Sequence, residues 1–204
     1  MILWLLTGYA GSGKSAAAVA LHRSLPNSRC IAFADAVKDD VAATYGLKRH
    51  MCDTQDGKRT RITTAEGSKT IRDLLIEHAE QEKAATGNPG VWAALVALQM
   101  EAAPHVDHWI VHDWRFHAER ETLRSCFPQA TIVTLRIQRH GVAPTAHRTE
   151  HELDDLEMET VRNSGTIEEL REALRAKVPT ERVAIADDEN DDFGNDGGRR
   201  LPPT

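Results

Sequence analysis

Gly8-Tyr9-Ala10-Gly11-Ser12-Gly13-Lys14-Ser15 sets three glycines, a lysine and a hydroxyl at the spacing Gly-x-x-x-x-Gly-Lys-Ser. Residue types at that spacing suit one task, the holding of a polyphosphate. Glycine lets successive backbone N–H groups turn inward on an anion without a side chain in the way. A helix beginning at Gly13–Lys14 adds the positive end of its dipole. Lys14 then reaches the β- and γ-phosphates, and the Ser15 hydroxyl is placed for Mg²⁺. The flanks agree with this reading. Ile2-Leu3-Trp4-Leu5-Leu6 precedes the loop as an apolar strand, and the alanine-rich Ala16–Leu25 follows it as a helix. ATP and Mg²⁺ are the ligands that such a loop predicts.

Other reactive side chains come after apolar runs. Asp35 follows Arg29-Cys30-Ile31-Ala32-Phe33, and Asp113 ends Trp109-Ile110-Val111-His112-Asp113. An acidic residue at the end of a strand downstream of a phosphate loop is placed to orient Mg²⁺ or its water, which makes Asp113 the second metal candidate. Arg136, Arg139, His140, His147, Arg148 and His151 crowd the stretch around Gly141 and Pro144. That charge and those hinge residues predict a basic lid at about 138–152.

The elements that must position these residues alternate. Helices are expected around Val37–Tyr45, over 67–86, over Val91–Ala103, over Arg115–Phe127 and after Thr166, where Glu169 completes a capping box. Further strands are expected at 131–137 and 158–162. Residues 47–66 read as a polar connection with no regular structure of its own. Strands separated by helices imply an α/β fold, a parallel sheet with helices on both faces, whose ligands gather at the carboxyl ends of the strands. The loop, Asp35 and Asp113 all fall at those ends.

The chain's 204 residues suffice for one domain and a tail. Its formal net charge is −6, and residues 187–196 hold six acidic groups followed by Arg199 and Arg200. The acidity is thus mostly a property of residues 179–204, where composition predicts a disordered tail, and it leaves 1–178 open to anionic substrates. Cys30, Cys52 and Cys126 are odd in number and scattered, which argues against a disulfide framework or zinc site and for a reducing, cytoplasmic setting. The opening apolar run is too short for a membrane span or a signal peptide. A guanine-reading Asn-Lys-x-Asp is missing, which argues against a GTPase switch, and the length is short for a motor ATPase. Either a P-loop kinase of small molecules or nucleotides, or an ATP-binding module without acceptor chemistry, fits what remains. A homodimer is compatible with the sequence and not required by it.

An ordered series makes the resemblance narrower. Phe33-Ala34-Asp35-Ala36-Val37-Lys38, His112-Asp113-Trp114-Arg115-Phe116-His117-Ala118-Glu119, Arg148-Thr149-Glu150-His151-Glu152 and Val161-Arg162-Asn163-Ser164-Gly165-Thr166 follow the phosphate loop in that order. Over roughly residues 1–178 the chain resembles the phage deoxynucleoside monophosphate kinases and their relatives that phosphorylate 5-hydroxymethyluracil in viral DNA. The resemblance implies a nucleotide-kinase-like fold, a deoxynucleotide-type acceptor and, for a viral protein, the host cytoplasm. It also implies Arg115, Arg136, Arg139 and Arg148 as candidate phosphate clamps, Arg136 on the donor nucleotide, which the bidentate geometry of guanidinium groups suits. It brings Arg72 and Trp92 in as weaker acceptor-site candidates, although a core tryptophan is the plainer reading of Trp92. Trp114 stands where the family carries a small apolar residue, which points to an altered acceptor pocket. A hydroxymethyl acceptor must lose a proton, and Asp35 is at the strand end where a general base would sit. Those two features favour hydroxymethyluracil in DNA, with a free deoxynucleoside monophosphate as the alternative. Against it, basic residues are confined to two loops, where a duplex-binding protein would show a basic face.

Overall fold

The computed structural model describes residues 1–144 and 150–178. Five strands form one parallel sheet: β1 (Ile2–Thr7), β2 (Ser28–Ile31), β5 (His108–Val111), β6 (Thr131–Gln138) and β7 (Glu159–Arg162), in the order β2-β5-β1-β6-β7. A short antiparallel hairpin, β3 (Arg61–Thr64) and β4 (Gly67–Thr70), stands apart from it. All six residues of the central strand β1 are buried. This explains its unbroken apolar run, because a strand covered on both faces has no polar side.

The period of two along β1 divides the core. Leu3 and Leu5 pack with α2 (Phe33–Thr44), α4 (Ile71–Thr86), α5 (Val91–Glu101) and α6 (His117–Cys126), among them Val41, Leu74, Val96, Met100 and Leu123. Ile2, Trp4 and Leu6 face the other way, toward α1 (Lys14–His22) and α7 (Ile167–Arg175), against Leu21, Leu170 and Leu174. The chain is therefore an α/β fold with a phosphate-loop opening and helices on both faces of a parallel sheet. The ends of β1, β2, β5, β6 and β7 share one edge, where the candidate residues meet. No helix among the described residues is long and apolar enough to cross a membrane.

Residues 47–66 differ from expectation. They contain a 3-10 turn (Arg49–Cys52), a short helix α3 (Gln55–Arg59) and the first hairpin strand, and α4 accordingly begins at Ile71 rather than at 67. Thr54 caps α3 by accepting the Gly57 amide at 3.0 Å. A box between Thr70 and Asp73 starts α4 (2.7 Å between Thr70 Oγ1 and Asp73 Oδ2). Buried Cys52 and half-buried Ile62 fasten this insert to the core. Arg115 and Phe116 precede α6 instead of opening it. The capping box at Thr166 is as expected, with the Glu169 amide donating to Thr166 Oγ1 at 3.2 Å. Arg148 and the acidic segment 179–204 lie outside the described residues.

Candidate active site

The loop after β1 has the backbone that its glycines allow. Gly8 sits at φ 140, and a Cβ there would meet the Ile137 carbonyl oxygen at 2.2 Å. Gly13 sits at φ 95, where a Cβ would meet Asn163 Nδ2 at 2.0 Å. Both positions combine a positive φ with a close approach, of backbone at Gly8 and of the Asn163 side chain at Gly13, which favours glycine. Ser12 is 1% exposed, and its Oγ has no hydrogen-bond partner among the described residues. A buried hydroxyl without a partner is costly, and a phosphate oxygen or a water in the cradle would satisfy it.

Lys14 Nζ donates to the loop's own Gly8 carbonyl at 2.5 Å and Tyr9 carbonyl at 3.1 Å. Burial pulls its pKa below the ordinary lysine value and neighbouring Arg115 adds to that, while Glu150 and Asp113 oppose it. Lys14, Arg115, Glu150 and Asp113 are thus one electrostatic group. Thr7, Gly8, Arg115, Glu150 and Leu153 line the opening above the loop. Two cations facing an anion cradle are what a transferring phosphoryl group requires.

Ser15 is exposed in the first turn of α1. Asp113 uses both carboxylate oxygens on α2, accepting the Phe33 amide at 2.8 Å and the Ala34 amide at 2.9 Å. It caps that helix, and each oxygen keeps a lone pair for a water of a metal. No group of three metal-ligating side chains occurs among the described residues. That donor set fits Mg²⁺, which keeps several waters and takes much of its shell from nucleotide phosphates. Ser15 and, through water, Asp113 would hold it.

Asp35 is committed elsewhere. Its Oδ2 accepts the Ala32 amide at 3.2 Å, and its Oδ1 takes Lys38 Nζ and Arg49 Nη2, both at 3.0 Å. Lys38 also pairs with Asp53 at 3.1 Å, and Arg49 with Asp53 at 2.6 Å and with Asp39. Burial works against both cations, but the carboxylate bonds prevail and hold their pKa values above the ordinary range. Both carboxylate oxygens of Asp35 are thus already engaged by protein donors. Trp114 also departs from expectation. It is fully buried and donates Nε1 to the Phe116 carbonyl at 2.8 Å, so it fills the core rather than shaping an acceptor opening. Trp92 is likewise core, with Nε1 bonded to the Ala79 carbonyl at 3.2 Å. Arg72 holds Gln55 Oε1 at 2.7 Å on the insert, away from the loop's own bonds.

The segment after the undescribed 145–149 folds onto the loop through acidic groups. Ala10 donates its amide to Glu150 Oε1 at 2.9 Å, taking a position suited to a phosphate oxygen. Asp154 gathers Arg136 Nη1 (2.9 Å), His151 Nδ1 (2.9 Å) and the Tyr9 hydroxyl (3.3 Å). Arg136 is therefore beside the loop but committed to Asp154 and to the Leu153 carbonyl. Arg139 is exposed just past β6.

Sequence reasoning left out three contributors. Glu119 is 7% exposed and accepts the amides of Arg115 (2.9 Å) and Phe116 (3.0 Å), fixing the backbone that presents Arg115. Burial pushes its carboxyl up to about 8; the two amide bonds oppose that shift and neighbouring Asp113 adds to it. Glu150 and Asp154 were hidden in a stretch read for its bases. A helix N-terminus with Glu at its third position signals a capping role, but Phe116 stands where Ser or Thr would have announced it.

No protein-family model matches the chain, and no curated protein matches it. Among solved structures it is similar to a sugar kinase from a Janibacter species, at 16% identity and a TM-score of 0.43, with 86% of this chain and 92% of that one covered. A protein from Thermus thermophilus aligns at 16% identity and a TM-score of 0.46, over 86% of this chain and 95% of its own. A gluconokinase from Sinorhizobium meliloti aligns at 14% identity and a TM-score of 0.42, over 86% and 90%. The residues of the site itself carry the functional reading.

Proposed function

We propose that the chain is an ATP-dependent kinase that transfers a γ-phosphoryl group to a deoxynucleotide-type acceptor. The observation that carries this is that Arg115 lines the same opening as Gly8 of the phosphate loop and lies close enough to Lys14 to act on its charge. A module that only bound ATP would need the loop and its lysine. A second cation facing the transferring group is the addition that phosphoryl transfer uses. Bound Mg²⁺ would neutralise charge on the β- and γ-oxygens. The loop amides hold the donor, Lys14 leaves the Gly8 and Tyr9 carbonyls to take phosphate oxygens, and Arg115 steadies charge on the group in flight. Glu119 keeps the Arg115 backbone in place. Arg136 and Arg139, with Arg148, are proposed as further clamps at the lid.

The form of the acceptor follows from Asp35. Its oxygens are taken by Lys38, Arg49 and the Ala32 amide rather than turned toward an acceptor, and Trp114 in the core gives no altered pocket. Both reasons for preferring a hydroxymethyl group on DNA are thereby weakened. A monophosphate is already an anion, so its oxygen attacks the γ-phosphorus while the bond to the β,γ-bridging oxygen breaks, and no proton has to be removed first. A free deoxynucleoside monophosphate is the acceptor this geometry favours.

Labelled ATP supplied with each deoxynucleoside monophosphate and, separately, with hydroxymethyluracil DNA tests the reading. The expected product is a labelled diphosphate. Label on the DNA instead would restore the hydroxymethyl acceptor. ATP binding with transfer to none of them would leave an ATP-binding module.

A further inference from the structure

The loop after β7 touches the phosphate loop at a point that the proposed chemistry does not use. Asn163 Nδ2 donates to the Ser12 carbonyl at 2.9 Å. The group facing it is a carbonyl, so the nitrogen end of the amide must be the one presented. The Asn163 backbone amide is itself anchored, donating to the Gln138 carbonyl at 2.7 Å where β6 ends. Its neighbour Ser164 accepts the His140 amide at 2.9 Å. The side chain is thus held from behind by two strands of the sheet.

The peptide unit between Ser12 and Gly13 is planar and trans, there being no cis bond among the described residues. In a trans unit the C=O and N–H point in opposite directions. Fastening the Ser12 carbonyl to Asn163 therefore turns the Gly13 N–H the other way, into the concavity of the loop. The tightness at Gly13, where a Cβ would reach Asn163 Nδ2 at 2.0 Å, shows that the two are packed with no slack. We infer that Asn163 is a positioning residue of the donor-phosphate cradle, setting the direction of the Gly13 amide that a phosphate oxygen would accept from. The inference rests on the donor-site reading given above and concerns how that site is held. Pre-aimed donors matter because a cradle that must reorganise on binding gives up part of its affinity.

Titration of Mg·ATP into the wild-type protein, Asn163→Ala and Ser164→Ala tests it, alongside thermal melting and the Gly13 amide resonance with bound Mg·ADP. Asn163→Ala is expected to weaken ATP by about tenfold, the worth of one well-placed hydrogen bond. It is also expected to shrink the nucleotide-induced shift of the Gly13 amide. Ser164→Ala, which loses only the His140 contact, should stay within about twofold, far below one such bond. Unchanged affinity in Asn163→Ala would overturn the inference, leaving a packing role. Weakened binding with an unchanged Gly13 shift would overturn it as well, in favour of a direct contact to the nucleoside. Should Asn163→Ala fail to fold, Asn163→Leu, which keeps the size and neutrality but cannot donate, is read in the same way. If the wild-type protein binds no ATP, the donor-site reading itself falls and the inference falls with it.

Discussion

The donor and acceptor sides of the cleft are built from opposite uses of charge. On the donor side the backbone supplies the binding groups, and Lys14 rests on the Gly8 and Tyr9 carbonyls in one electrostatic group with Arg115, Glu150 and Asp113. On the acceptor side Lys38 and Arg49 are spent on Asp35, Asp39 and Asp53. The first arrangement stores attraction for an incoming anion. The second uses attraction to fasten the insert 47–70 to α2. Asp35, expected at a strand's end, lies in the first turn of α2, beyond Ile31 where β2 stops, and a charged residue near a strand's carboxyl end is not evidence of chemistry until its partners are known.

Lys14→Ala should break the donor side most severely. Transfer is expected to fall about 100–1000-fold, the scale of losing one preorganised charge contact at the reacting group. Folding should be retained, as a melting curve would report, because the amine bonds only to the loop itself. Equal activity in this variant would remove the basis of the comparison.

Asp35→Asn probes the other side. Monophosphate phosphorylation should fall less than about tenfold, with a stability loss of about 1 kcal/mol or less, since these ion pairs are more than a third exposed on the carboxylate side. A loss near that of Lys14→Ala, measured by steady-state kinetics, would make Asp35 a base and return the hydroxymethyl acceptor to first place.

A smaller effect is expected from Glu150→Gln. The carboxylate occupies the Ala10 amide, so nucleotide must displace it, and binding is reduced by the fraction of molecules in which it is docked. Weakening that contact should tighten ATP by about threefold to tenfold in a titration. Weaker binding would instead give Glu150 a part in holding the nucleotide.

The smallest effect is one of pH. Burial pushes the Glu119 carboxyl up to about 8 in the folded protein, above the ordinary value of 4.5. Between those limits the unfolded chain releases the proton first, so this group's contribution to stability falls as pH rises. Glu119→Gln keeps an oxygen for both amides and removes the titration. The difference in melting temperature between variant and wild type should widen by a few degrees from pH 5 to pH 8, in favour of the variant. A constant difference would show that the carboxyl is not protonated in the fold.

What could be read from the sequence divides along the same line. The run Ile2–Leu6, the loop and the helix after it were legible because each is local: an apolar strand buried on both faces, glycines where φ is positive, and a helix that starts on Lys14. The hairpin Arg61–Thr70 was not, because its residues are mostly polar: the positions of Arg61–Thr64 alternate between exposed and half-buried, but Ile62 is the one apolar residue on the inner side. Asp113 was placed correctly at the end of β5, but its bonds to the Phe33 and Ala34 amides join residues 80 and 79 apart. The contact of Glu150 with Ala10 spans 140 residues. Pairings at such separations depend on the order of strands in the sheet, which spacing along the chain does not encode.

The Asp113 carboxylate has a mechanical consequence. By gripping the first two amides of α2 it roots that helix to the end of β5, directly beside the donor cleft. A swing of the acceptor-side insert toward the phosphates then has no pivot at the near end of α2. At the far end Gly46 turns the chain at φ 62 immediately after the helix, and Arg49 in the 3-10 turn beyond it reaches back to Asp35 and Asp39 of the same helix. The insert is thereby tied to a helix that is itself clamped, so a displacement of one is transmitted to the other only by breaking those ion pairs.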